Sequence, residues 1–390
     1  MAELMKARIN ADSLGELACR IKKNHSAFES EAFVSEILDM DWDTLELKAR
    51  IRKTALALGK YLPADYSQAV TILRQTAANY PADSDGLMLM CLPDYVEVFG
   101  QAEADWEQSM AALEHITSLA SAEFAVRAFI LRDEKRMMAQ MAVWAEHKSE
   151  HVRRLASEGC RPQLPWGQAL ASFKQNPLPV LRILELLKAD PSPYVQKSVA
   201  NNLNDISKTH PELVLETARR WQGQNAITDA ILKHGCRTLL KKGNPEALAL
   251  FGLAENASVK TAEFTVTTPV VRIGEDLVFS FVLNAETDVR VRLEYAVDYM
   301  KAKGKRSRKN YKISELTLKA GEKRKYVKKQ HFADTSVRKH YPGRHSVTLI
   351  INGCPQGTRD FEVTAAEYPK RLPRPFSIQE IAARLSEQQR

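Results

Sequence analysis

Cysteine is scarce and unpatterned in this chain. The five cysteines (Cys19, Cys91, Cys160, Cys236 and Cys354) lie far apart and form no C-x-x-C pair. That spacing suggests neither a structural zinc site nor a disulfide framework, and a reducing cytoplasm suits it best. Long apolar runs are missing too. No stretch approaches the roughly 18 uncharged apolar residues of a membrane helix, so no membrane partner is expected. The first 24 residues scatter Lys6, Arg8, Asp12, Glu16 and Arg20 through every apolar run, unlike a secretory signal. No His, Asp and Glu set shows metal-ligand spacing, so no metal and no cofactor are expected. What remains is an ordinary globular composition, 44% hydrophobic and 27% charged over 390 residues. That length suits about two domains.

Charge is abundant but uneven. The net charge is +8. Residues 257–390 hold 26 Lys and Arg against 15 Asp and Glu, whereas residues 1–256 hold 30 against 33. A solvated basic surface without a partner is one reading. A polyanionic partner, most commonly nucleic acid, is the other.

Two periodicities divide the chain. Up to about Leu253, apolar residues recur at three- and four-residue spacing. The spacing predicts helices over Leu45–Tyr61, Tyr66–Asn79, Trp106–Ser118, Phe124–Asp133, Glu134–Glu146, Val152–Gly159, Pro179–Leu187, Tyr194–Lys208 and Ala226–Lys242. Connectors such as Asp190-Pro-Ser-Pro193 are short, so neighbouring helices should pack antiparallel. A weak repeat joins the stretches beginning at Ser121, Lys148 and Pro191, and more faintly Thr228. The later spacings, 43 and 37 residues, bracket the period of about 40 that marks HEAT-like helix pairs. After Ala254 the period becomes two. Leu277, Phe279, Phe281 and Leu283 alternate, as do Val289 to Tyr295, Val347 to Ile351, and Phe361 with Val363. Turns at Gly274, Gly321 and Asn352-Gly353 separate antiparallel strands, about seven in all. The expected fold class is therefore multidomain, α then β. An α-solenoid of HEAT-like repeats over residues 1–256 is followed by an immunoglobulin-like β-sandwich over residues 257–365. Residues 366–390 form a basic, Pro-rich tail, in which Ile378–Gln389 is either a short helix or disordered.

The densest polar group runs from His151 to Gly167. Arg154 and Glu158 share a helix face, Arg161 follows three residues later, and Trp166 stands just past a Pro-Leu-Pro turn. A surface ion pair beside a core Trp is the plain alternative. The crowding of a carboxylate, two guanidiniums and an indole at one helix end favours a functional site. Glu123, one turn before Arg127, reads on its own as a first-turn helix carboxylate. Asn201, Asn202, Asn204 and Asp205 are poor helix formers inside a helix, and Asn201 shares a face with Asp205. Lys233, Arg237, Lys241 and Lys242 recur at helical spacing and should contact phosphates. In the sandwich, Lys301 to Lys312 includes Lys303, Lys305, Arg306 and Arg308. Two further basic runs cover Lys323–Lys329 and Arg338–Arg344. Basic residues interleaved with Tyr suit phosphate contacts and groove insertion, and solvated loops are the alternative.

The Val152–Trp166 run, the Val195–Asp205 helix and the stretch from Lys233 to Leu250 together resemble the HEAT-repeat alkylpurine DNA glycosylases. The added sandwich makes the AlkC branch the closer match, since the AlkD branch lacks it. The resemblance covers about Ala111 to Thr364. It implies a monofunctional glycosylase of base excision repair that removes cationic alkylated bases, N3-methyladenine and N3-methylcytosine, from double-stranded DNA without base flipping. It also implies a monomer in the bacterial cytoplasm. Carried over by position, Glu123, Glu158, Trp166 and Asp205 face the damaged nucleotide, while Arg154 and Arg161 hold the backbone beside it. Asn201, a residue expected at the DNA, stands where the AlkD branch has a tryptophan, so that branch's aromatic cradle does not transfer.

The residue types suit the chemistry. An N3-alkylated base carries a positive charge and leaves neutral, so no general acid is needed. What is needed is an electrostatic cluster for the oxocarbenium-like sugar and a carboxylate for water. The residue types do not say which carboxylate. Two other readings compete. A non-enzymatic HEAT scaffold binding nucleic acid or protein needs no such cluster, and a nuclease would want a metal cluster. A β-lyase step would want a lysine nucleophile in the cluster, and none is evident.

Overall fold

The computed structural model describes residues 5–81, 83–253, 258–335 and 338–366. The chain forms two compact units, Met1–Leu239 and Leu240–Arg390. The expected boundary after residue 256 and nearly all of the 366–390 tail lie outside the described residues.

The first unit is helical. It opens with α1 (Ala11–Asn24), α2 (Ser30–Ile37), α3 (Leu47–Tyr61), α4 (Tyr66–Ala78), α5 (Cys91–Phe99) and α6 (Trp106–Ile116). It continues through α7 (Val126–Arg132), α8 (Glu134–Ala145), α9 (Glu150–Gly159), α10 (Ala171–Gln175) and α11 (Leu178–Leu187). It closes with α12 (Pro193–Ile206), α13 (Pro211–Trp221) and α14 (Ala226–Gly235). The stacking is that of a helical repeat. The pairs α8/α9, α11/α12 and α13/α14 lie side by side, and α9, α12 and α14 pack in succession in one row. The fourfold sequence repeat lies at the starts of α7, α9, α12 and α14. Their turn chemistry is explicit. Ser192 caps α12 through Tyr194 N with Pro193 in the first turn, and Asn225 caps α14 through Thr228 N.

Two expectations need correction. Helix α7 begins at Val126, so Glu123 stands in the turn before it rather than in its first turn. The helix predicted over Ala226–Lys242 is two helices, α14 and α15 (Arg237–Lys241). Cys236 ends the first, and Arg237 Nη1 donates to the carbonyl of His234 in its last turn at 2.8 Å. Lys233, Arg237 and Lys241 therefore do not share one continuous helix face.

Among its described residues the second unit carries α16 (Pro245–Leu250) and eight strands: β1 (Val259–Val266), β2 (Val270–Arg272), β3 (Asp276–Ala285), β4 (Val289–Met300), β5 (Arg306–Leu318), β6 (Lys323–His331), β7 (Gly343–Ile351) and β8 (Cys354–Thr364). They form two sheets, β1-β3-β6 and β2-β8-β7-β4-β5. Phe279, Phe281, Leu293, Val347, Leu349 and Phe361 fill the space between the sheets. Asn352 and Gly353, with φ of 46° and 76°, make the tight turn between β7 and β8. There the Cα of Gly243 lies 2.7 Å from where a Gly353 Cβ would stand. The second basic run and the later half of the first are strand rather than loop: β5 and β6 are edge strands studded with Lys and Arg, which resist edge-to-edge pairing, while Lys301–Lys305 form a turn. The tyrosines of those runs are correspondingly less free than groove insertion requires. Tyr326 stacks on Phe281 and Tyr311 on Tyr295, and Arg338 Nη1 donates to the Tyr311 hydroxyl at 2.7 Å. No helix among the described residues is long and apolar enough to cross a membrane.

Candidate active site

Glu158 and Asp205 occupy an unfavourable place. Each sits in the last turn of its helix, α9 and α12, where the exposed carbonyls make the local potential negative. Each is also buried, at 5% and 2% exposure. A carboxylate so placed is costly unless paired. One guanidinium serves both. Arg161 Nη1 donates to Glu158 Oε1 at 2.5 Å, and Arg161 Nε donates to Asp205 Oδ2 at 2.8 Å. Burial opposes the charge of Arg161, but Glu158 and Asp205 outweigh it and raise its pKa. Ser198 Oγ donates to Glu158 Oε2 at 2.5 Å, and Lys208 Nζ to Asp205 Oδ1 at 2.8 Å.

Arg154 extends the network toward α7. Its guanidinium pairs with Glu123 Oε2, lies 3.7 Å from Glu158 Oε1, and donates to Ser121 Oγ at 2.7 Å. Ser121 in turn donates to Glu123 Oε2 at 2.8 Å. The same guanidinium stacks 5.0 Å over the ring of Tyr194, which is 42% exposed. Gly159 permits this assembly. A Cβ there would stand 2.5 Å from Val126 Cγ2, so only glycine lets the end of α9 lie against α7.

Thus Glu123, Glu158, Asp205, Arg154 and Arg161 come together from three helix ends. Trp166 stands on the loop after α9 and does not pack into the core. It is 64% exposed with φ of 63°. The asparagines of α12 divide. Asn202 Nδ2 ties α12 to Ser157 O at 2.8 Å, and Asn204 Oδ1 accepts from Thr238 N at 3.3 Å. Both are buried and structural. Asn201, half-buried, accepts from Arg237 Nη2 at 3.0 Å. Sequence reasoning missed Ser121, Tyr194, Ser198 and Lys208. None violates a local propensity, so only the fold shows them to be neighbours of the cluster. Lys233 lies on α14, and Lys241 is exposed at the end of α15. In the sandwich, Lys303, Lys305, Arg306 and Arg308 are all exposed. Lys301, Lys303, Lys305, Arg338, Lys339 and Tyr341 line an open groove of about 540 Å³, uniting the first and third basic runs.

Residues 92–239 match the family described as "DNA alkylation repair enzyme". Residues 260–365 match "Uncharacterised protein YhaZ, C-terminal Ig-like domain". The chain is 46% identical over 363 residues to YhaZ of Bacillus subtilis (strain 168), covering 93% of this chain and all of that protein. Its fold is similar to Pseudomonas fluorescens alkylpurine DNA glycosylase AlkC, solved bound to DNA containing an abasic site analog. The TM-score is 0.89 at 38% identity, over 93% of this chain and all of that one. The chain belongs to the AlkC branch of the DNA alkylation repair enzymes. In this chain helical repeats precede the Ig-like domain. The segment matching the alkylation repair family holds every member of the carboxylate–arginine cluster.

Proposed function

We propose that the chain is a monofunctional DNA glycosylase that hydrolyses the N-glycosidic bond of cationic alkylated bases in duplex DNA, N3-methyladenine and N3-methylcytosine, without flipping them out. The observation that carries this reading is the convergence of Glu123, Glu158 and Asp205 with Arg154 and Arg161. Three carboxylates at one place suit a developing oxocarbenium charge. The C1′–N bond breaks with its electron pair going to the base, which departs neutral because it began as a cation. Water then bonds to C1′ and gives up one proton. No protein acid is required for the leaving group, so a neutral base should be a poor substrate.

The three carboxylates are not equivalent. Both oxygens of Glu158 and both of Asp205 already accept hydrogen bonds from Arg161, Ser198 or Lys208. Glu123 is held through Oε2, and its Oε1 accepts no hydrogen bond from the described residues. Glu123 is therefore the carboxylate assigned to the water. Glu158 and Asp205 supply fixed negative charge, and Arg154 and Arg161 meet the DNA backbone as they orient the carboxylates. Trp166 offers an exposed aromatic face to the cationic nucleotide.

The relative solved bound to DNA containing an abasic site analog supports DNA as the partner, which we take to be double-stranded. The basic groove of the sandwich and Asn201, Lys233, Arg237 and Lys241 supply further backbone contacts. One chain holds the whole cluster, so a monomer suffices, acting on the chromosome in the bacterial cytoplasm. A non-enzymatic scaffold is favoured by one observation, that most of the carboxylate oxygens are already paired within the protein. Base release from methylated duplex DNA separates the two. Wild type should release N3-methyladenine without strand cleavage, and Glu123→Gln, Glu158→Gln and Asp205→Asn should lose release while still binding DNA. A well-folded wild type that releases no alkylated base would leave the scaffold.

A further inference from the structure

Trp166 is the one exposed tryptophan of five. Trp42, Trp106, Trp144 and Trp221 are at most 6% exposed, against 64% for Trp166. Its φ of 63° lies in the left-handed region, which bulky side chains avoid, and such a conformation persists only where its surroundings impose it. The neighbouring Gly167 has little room: a Cβ there would lie 3.1 Å from Leu164 and 3.3 Å from Arg127 Nε.

Two cations bind the carbonyls of this loop. Arg127, on α7 and 1% exposed, donates from Nη1 to Gly159 O and Arg161 O, both at 2.9 Å, and from Nε to Gln168 O at 2.6 Å. A single guanidinium thus grips the end of α9 and both sides of the 160–168 loop. Lys48, on α3, donates from Nζ to Trp166 O at 2.8 Å and lies 4.9 Å over the ring of Phe124, the residue after Glu123. Beside this loop lies a cavity of about 130 Å³, lined by Lys48, Arg52, Asp94, Phe124, Arg127 and Gln168. The buried Arg127 Nη2 has no hydrogen-bond partner among the described residues. Leu164 is buried on the inner side of the loop, whereas Trp166 and Gln168 are exposed, so these carbonyl bonds anchor its outer part.

We propose that Arg127 and Lys48 are positioning residues, which hold the 160–168 loop so that the Trp166 indole and the Arg161 guanidinium stand in fixed relation to the carboxylates. The catalytic part of this proposal rests on the glycosylase reading, while the mechanical part does not. Arginine suits the inner position because its planar fork reaches three carbonyls at once, which an ammonium cannot do in the same geometry. Burial pushes Arg127 down to about 10, so it remains charged at neutral pH. Lys48 lies outside the segment that matches the alkylation repair family, so the N-terminal helices contribute to the site.

The test uses Trp166 as its own reporter, taken as the difference between each variant and the same variant carrying Trp166→Phe. In Lys48→Met, acrylamide quenching of the Trp166 fraction should rise and its anisotropy fall. On methylated duplex DNA kcat should drop by roughly 10- to 100-fold, with DNA affinity changed less than about 3-fold. Lys48→Arg should restore both signals, and Arg127→Lys should show a partial loss of each. If the Arg127 variant does not fold, the Lys48 pair still decides. Lys48→Met with wild-type quenching, anisotropy and kcat would overturn the proposal. If wild type itself releases no base, the glycosylase reading fails, and the fluorescence measurements still judge the mount.

Discussion

Arg161 meets Asp205 twice: Nε and Nη2 lie 2.8 and 2.7 Å from the same Oδ2. The third nitrogen of the fork, Nη1, goes to Glu158. Removing this guanidinium leaves two buried carboxylates at helix C-termini with too few partners. Arg161→Met should therefore cost about 3–5 kcal/mol of stability, measured as a lowered urea midpoint at neutral pH. Arg161→Lys should recover only part, because a point charge cannot reach both acids in the fork geometry.

Glu123→Gln should separate chemistry from binding. The amide keeps the shape and can still bond Ser121, but it cannot take a proton from water. Single-turnover base release should fall by roughly 10²- to 10⁴-fold, while the Kd for DNA stays within about 2-fold. A variant with near-wild-type release would move the water to another carboxylate.

The basic turn and edge strand should announce themselves through salt. Neutralising Lys303, Lys305, Arg306 and Arg308 together should weaken DNA binding and flatten the plot of log K against log salt. The slope should lose about 0.9 for each phosphate contact removed. Unchanged affinity and slope would exclude that turn from the interface.

Asp94 offers a pH test of the cavity. Burial pushes its carboxyl up to about 6 despite the Arg52 guanidinium 2.7 Å away. A carboxyl raised in the folded state gives stability that is complete at low pH and is lost as pH rises through about 6. Relative to wild type, Asp94→Asn should therefore gain roughly 2 kcal/mol between pH 4 and pH 7.5. Urea titrations at the two pH values would read this gain, and an equal difference at both would refute it.

Much of the fold can be read in the sequence because its periodicities are clean. Strands β3, β4, β7 and β8 lie where the alternating apolar residues put them, although only β3 alternates in burial throughout and β4 and β7 are buried on both faces, and the solenoid repeats its helix starts. Strands β5 and β6 were less legible. Their exposed positions are mostly Lys and Arg, and an edge strand with one exposed face resembles a charged loop. In the site, Glu158 and Asp205 betray themselves locally, being acids in the last turns of helices. Ser198, Tyr194 and Lys48 break no local rule. Only tertiary contacts across 40 residues (Ser198 to Glu158), or 118 (Lys48 to Trp166), reveal them. The split of the predicted Ala226–Lys242 helix was hidden for a related reason: apolar spacing continues across Cys236 although the backbone turns there.

The contact between Gly243 and Gly353 bears on where the molecule can be cut. Gly243, with φ of 69°, brings the chain before α16 onto the β7–β8 turn; Leu248 of α16 also touches Gly353, and Arg290 Nη1 donates to Phe251 O. A sandwich excised at the first strand residue, Val259, would lose this helical strap and bare the turn it covers. The natural excision point lies upstream, before Leu240. A side chain at Gly353 would collide with the Gly243 backbone and press the strap away from within the intact chain.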